Sequence, residues 1–307
     1  MHIPDGFLST PVWATLDVLS VPAVAYLARR AESHLEEARI PLLGVMGAFV
    51  FAAQMINFPV GVGTSGHLIG SALLAYTLGP APAAIVMTAI LAVQALIFQD
   101  GGVLALGANV FNMAFAGLLA AWLPYRCLGR GRFRKAGLFL GGALSVLVSA
   151  ALAITELRMS GVAMPLPVIA VSFGLFALSG ILEGAITVSV VTAIGRLNER
   201  WVRKPAGAPL LTALATAAVL LAGAGVFFAS TLPDGLDSLA ARLGIASRET
   251  SLEAPLAGYE FPGFDAVWQR KAAAGLAGLA VVTGLCLGAG RLVSRRRREK
   301  VGCAISS

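Results

Sequence analysis

PAPAAIVMTAILAVQALIFQ (80–99) runs for twenty residues without an ionisable side chain. Wound as an α-helix it rises about 30 Å, the thickness of a bilayer's hydrocarbon core. The stretch is not alone: 11–28, 40–58, 103–123, 136–155, 166–194, 208–230 and 272–292 read the same way. A shorter apolar segment, 67–79, lies between Gly66 and the Pro80-Ala81-Pro82 turn and is expected to cross or to form a deep hairpin. Composition agrees, with 57% hydrophobic and only 13% charged residues, against about a quarter charged in soluble domains. The fold class expected is an all-α integral membrane protein of about nine transmembrane helices.

Charge placement orients these crossings. The segments 29–39, 124–135, 195–207 and the tail from 290 hold three, five, four and six Lys/Arg, 18 of the 23 in the chain. Nine crossings put all four on one side, and the basic side is the cytoplasmic one. The N-terminus is then expected outside and the RRRREK tail inside. The net charge of +7 is accordingly a topology signal, and no nucleic-acid partner is expected. MHIPDGFLST lacks a basic n-region, so no removable signal peptide is expected. Cys127, Cys286 and Cys303 are scattered without metal-site or disulfide spacing. Gly44, Ala48 and Ala52 form a row of small residues that permits close helix approach, for internal packing before a partner interface.

Spans one to seven (1–200) have short connections and form one unit. A basic linker, ERWVRKPAGAP, leads into a second (201–307) of two helices flanking an outer segment at about 231–270. That segment carries Asp234, Asp237, Glu249, Glu253, Glu260 and Asp265, and reads equally as a cation-concentrating surface or a plain solvated loop.

Chemistry in this chain rests on few groups. Of three histidines, His34 sits among Glu32, Glu36 and Glu37 on the basic side and reads as solvated. His2 and His67 fall on the outer side, and a single histidine is more often structural than a ligand. Second place changes that for His2. The terminal amine of Met1, the amide nitrogen of His2 and its imidazole can form one planar chelate, leaving a vacancy for a second imidazole, and His67 is the outer one remaining. Four in-plane nitrogens suit Ni(II) or Cu(II). Buried polar groups in lipid draw functional suspicion: Asp17, Gln54, Asn57, Gln94, Asn109, Asn112 and Glu183, most of which read as helix–helix hydrogen bonds. Gln54 and Asn57 lie near the His67 loop, where they could orient ligands.

Two other functional classes compete. GTSGH (63–67) contains the G-x-S-G pattern of intramembrane serine peptidases, with Ser65 as nucleophile, but that chemistry needs a positioned base. A self-sufficient metal permease is the second. No Gly-Lys pair occurs for a phosphate-binding loop, so ATP-driven transport requires partner subunits, and the chain is not expected to be an enzyme.

MHIPDGFLS (1–9) and FAAQMINFPVGVGTSGHLIG (51–70) resemble the CbiM/NikM substrate-binding components of energy-coupling-factor nickel and cobalt transporters, a likeness running through about residue 200. From 208 onward, LPDGLD (232–237) and PLAGYEFPG (255–263) are similar to the NikN-type PDGLE component, with Asp237 where that motif carries Glu. The resemblance implies a metal site of Met1, His2 and His67; Asp5, Gln54, Asn57, Thr64 and Ser65 are expected around it. It implies Ni2+ or Co2+ as transported substrate and no catalytic cofactor. It further implies a transmembrane coupling subunit and cytoplasmic ATP-binding-cassette ATPase subunits as partners, within the lipid of a bacterial cytoplasmic membrane.

Overall fold

The computed structural model describes residues 2–61, 63–129, 131–198, 206–243 and 254–305. It is a helical bundle: α1 (Thr10–His34), α2 (Ile40–Gln54), α3 (Ser71–Leu78), α4 (Pro80–Val93), α5 (Leu106–Asn109), α6 (Leu118–Leu128), α7 (Arg134–Met159), α8 (Leu166–Leu197), α9 (Ala208–Ala224), α10 (Gly235–Leu243) and α11 (Val267–Ile305). Wide π-type turns extend α4 through Phe98 and join α5 to α6 across Val110–Gly117. The small hairpin β1 (Phe58–Gly61) and β2 (Thr64–Gly66) pairs Phe58 with Gly66.

Among the described residues seven helices are long and apolar enough to cross a bilayer. Of the nine stretches expected, 40–58 and 67–79 are shorter as helices. α2 has fifteen residues, nearly all buried, and α3 has eight, every one buried. Eight residues rise about 12 Å, so α3 does not cross by itself. His67–Gly70, without regular secondary structure, precedes it. Arg39 Nη2 lies 3.4 Å from Thr77 O and Gln54 Nε2 donates to Ile69 O at 2.6 Å. The 67–78 segment therefore runs back along the whole of α2, from its end to its beginning. Apolarity alone does not separate such enclosed helices from lipid-facing ones.

The outward surface is apolar, as lipid requires: Val18 on α1, Leu166 on α8, and Phe228 just beyond α9 are each more than 70% exposed. The small-residue row of α2 packs internally. A Cβ on Gly44 would lie 2.8 Å from Leu287 Cδ2, and one on Gly47 would lie 2.7 Å from Cys286 Sγ. Both partners stand on α11, so the last helix is seated directly against the second.

Candidate functional site

The N-terminal segment is inserted into the bundle, with His2, Ile3, Asp5, Phe7 and Leu8 all buried. Its backbone is held by the turn after α4. Ile3 N donates to Asn109 Oδ1 at 2.8 Å, while Ile3 O accepts from Asn109 Nδ2 at 3.1 Å and from Gly102 N at 2.8 Å. Asp5 accepts from three backbone N–H groups, Val103 at 3.0 Å, Leu104 at 2.8 Å and Ala105 at 3.3 Å. So close an approach needs glycine: a Cβ on Gly102 would stand 2.6 Å from Asp5 N.

This seating brings His2 to His67. Their ring centroids are 5.1 Å apart and their planes differ by 7°. His67 Nδ1 is 2.9 Å from Leu68 O, a contact made by the tautomer protonated on Nδ1. Among the described residues, His2 Nε2 is buried without a hydrogen-bond partner. His2 Nδ1 lies 3.0 Å from Asp100 Oδ1, and the Tyr259 hydroxyl donates to Asp100 Oδ2 at 2.6 Å. Met1 lies outside the described residues. Among those described, no three His, Cys, Asp or Glu side chains gather as metal ligands.

The segment after His67 is braced from two sides. Glu183 of α8 accepts from Ile69 N at 2.7 Å and Gly70 N at 2.9 Å. Gln94 Nε2 donates to Gln54 Oε1 at 2.9 Å, and Gln54 in turn donates to Ile69 O. Gln54 thus orients the histidine's own strand. Asp17 and Asn112 make interhelical bonds instead, to Gly107 N and Glu156.

Thr64 and Ser65 point elsewhere than the rings. Thr64 Oγ1 pairs with Ser238 Oγ at 3.1 Å. Ser65 Oγ donates to Leu232 O at 2.7 Å, and Ser65 N donates to Pro233 O at 2.8 Å. Asn57 contributes its carbonyl, accepting from Ser230 N at 2.7 Å. These bonds clasp the hairpin to the Pro-Asp-Gly turn of the second unit. The described part of segment 231–270 is therefore docked rather than a plain solvated loop, with Leu236, Leu239 and Ala240 buried. The Ser65 hydroxyl donates to the backbone carbonyls of Leu232 and Pro233. We expect Ser65→Ala to keep nickel binding in equilibrium dialysis and to lose about 1–2 kcal/mol of stability.

A cavity of about 280 Å³ opens between the two units, lined by Gln54, Asn57, His67 and Asp100 on one side and by Asp234, Asp237 and Tyr259 on the other. Burial and the adjacent Asp234 push the Asp237 carboxyl up to about 6. Burial also opposes ionisation of Asp100, but His2 beside it, then His67 and the Tyr259 hydroxyl, outweigh that and hold it well below the usual range. Asp100 and Tyr259 are the residues that sequence reasoning missed. Tyr259 stood inside PLAGYEFPG, and Asp100 in an unremarked Gln-Asp-Gly-Gly turn.

Residues 2–201 match the family model described as "Cobalt uptake substrate-specific transmembrane region" (CbiM), and residues 208–295 match the PDGLE domain. A chain from Archaeoglobus fulgidus named as a fused nickel transport protein, NikMN, is 34% identical across 93% of this chain and 96% of its own length. A cobalt transport protein CbiM of Thermosediminibacter oceani is 35% identical, over 63% of this chain and 84% of its own. A crystal structure described as a truncated transition-metal transporter superposes with a TM-score of 0.57 at 32% identity, covering 64% of this chain and 99% of that one.

Proposed function

The chain belongs to the CbiM family and carries a PDGLE domain in the same polypeptide, and from that membership we propose that it is the ion-capturing subunit of an energy-coupling-factor importer for nickel or cobalt. It is a multi-pass membrane protein, and its relatives are nickel and cobalt transport proteins. The observation that carries the reading is the meeting of His2 and His67, with near-parallel rings, of which His67 lines a cavity. In our reading the ion is held by the Met1 amine, the His2 amide and imidazole, and His67. Gln54 braces the segment that carries His67.

The same reading includes nine crossings, with α2 and the 67–78 segment as the two enclosed ones, the N-terminus outside and the basic tail inside. It is supported by the chain's direction: α1, α6 and α8 end at, and α2, α7 and α9 begin from, the connections that hold the basic residues. Residues 1–200 form the capture unit and 201–307 the accessory unit. Energy comes from a coupling subunit and ATP-binding-cassette ATPases in the cytoplasmic membrane.

Equilibrium dialysis of the purified protein against nickel and cobalt in competition tests the capture step. Nickel is expected to win, since planar nitrogen ligation suits it better. Binding should weaken as the medium is acidified, because the amine and imidazoles must be deprotonated to ligate. Failure to bind either ion above background would end the proposal. Uptake in cells lacking any coupling ATPase would favour the permease instead.

A further inference from the structure

We propose that Asp100 is the counter-charge of the captured ion and that Tyr259, from the PDGLE unit, is the positioning residue that holds it in place. The inference rests on the ion site proposed above. A divalent ion bound by one deprotonated amide and three neutral nitrogens keeps one net positive charge. In a buried site such a charge is costly unless an opposite one stands beside it. Asp100 stands beside it: its Oδ1 is 3.0 Å from His2 Nδ1. Asp234 and Asp237 line the same cavity, and Asp234 Oδ1 accepts from Leu236 N and Asp237 N, each at 2.8 Å.

The chain's geometry around Asp100 is unusual in a way that supports an assigned role. Gln99 and Gly101, on either side, both have left-handed backbones, with φ of 56° and 95°. Such a conformation is uncommon for a residue like glutamine and persists where the surroundings hold it. Asp100 N donates to Gln94 O at 2.9 Å within the first unit, and the second unit adds to this hold. Leu256 N donates to Ile97 O at 2.9 Å. The Tyr259 ring lies against Phe98, with centroids 4.6 Å apart and planes 15° apart. The Tyr259 hydroxyl then reaches the oxygen of Asp100 that His2 leaves unused. A carboxylate so bonded is fixed in direction. His2 can close the chelate only through Nδ1, so the fixed carboxylate stands at the ligating edge of that ring, beside the ion. The accessory unit thereby completes the ion site.

Nickel binding by the full-length chain, followed by equilibrium dialysis and by the absorption of the bound ion, tests this. Tyr259→Phe removes the hydroxyl and keeps the ring on Phe98. Its nickel affinity should fall by about 10- to 100-fold. The absorption of the nickel-saturated protein should stay at the wild-type position, because the ligand atoms are unchanged. Asp100→Asn should lose more affinity than Tyr259→Phe. Wild-type affinity in Tyr259→Phe overturns the inference. So does a shifted absorption at saturation, which would mean that the ligands themselves had been rearranged. His67→Ala separates the two levels of argument: if its affinity is also unchanged, the underlying site is wrong. If only Tyr259→Phe is unaffected, the inference alone fails.

Discussion

His67→Ala lowers nickel affinity by more than about 100-fold, beyond the upper end of what losing a group that merely orients a ligand costs. The substitution takes away one of the four nitrogens of the proposed site, and Gln54 beside it is already engaged with Ile69 and Gln94. The same loss is expected when one residue is added ahead of Met1. The added residue turns the Met1 amine into an amide and moves the free amine out of the chelate. Both variants keep the apolar interior untouched, so thermal unfolding without metal should match the wild type. Equilibrium dialysis with nickel measures the outcome. Wild-type affinity in either variant would remove the chelate from consideration.

Asp5→Ala carries the second large effect, and it is one of stability first. The carboxylate accepts from three successive N–H groups at the start of α5, and it is buried. Each donor left without a partner costs roughly 1–3 kcal/mol. With partial rescue by water, a net loss of about 3–5 kcal/mol is expected, and Asp5→Asn should fall between. Ile3, His2 and the seat of the N-terminal segment depend on the same turn, so nickel affinity should fall together with the unfolding temperature measured in detergent. An Asp5→Ala protein as stable as the wild type would show that the turn 102–105 holds itself.

Much of the fold was legible because a bilayer forces it to be. Uncharged runs such as 80–99 announce themselves by length, and they recur as α4 and its π-type extension. The two enclosed segments were harder. Every residue of α3 is buried by protein, and an apolar run buried by protein reads like one buried by lipid. The histidine pair was legible through chemistry: second place in the chain gives His2 a chelate, and few imidazoles remained to join it. Asp100 and Tyr259 were not, because they are separated by 159 positions and meet only after the second unit packs. Thr64 and Ser65 misled for a related reason. Their neighbourhood to His67 in sequence suggested the ion, whereas their hydroxyls serve the Leu232–Pro233 turn and Ser238.

The docking of Tyr259 onto Asp100 also sets a schedule. His2 is among the first residues to leave the ribosome, and Tyr259 comes 257 positions later. At roughly 5–20 residues per second, about ten to fifty seconds pass between them. Throughout that interval the opening residues have no finished seat: the turn around Gly102 emerges about a third of the way along, and the clasp on Asp100 near the end. The earliest part of the chain is thus the last to find its place. In the proposed site, the hold on the ion is complete only once the turn carrying Tyr259 has docked.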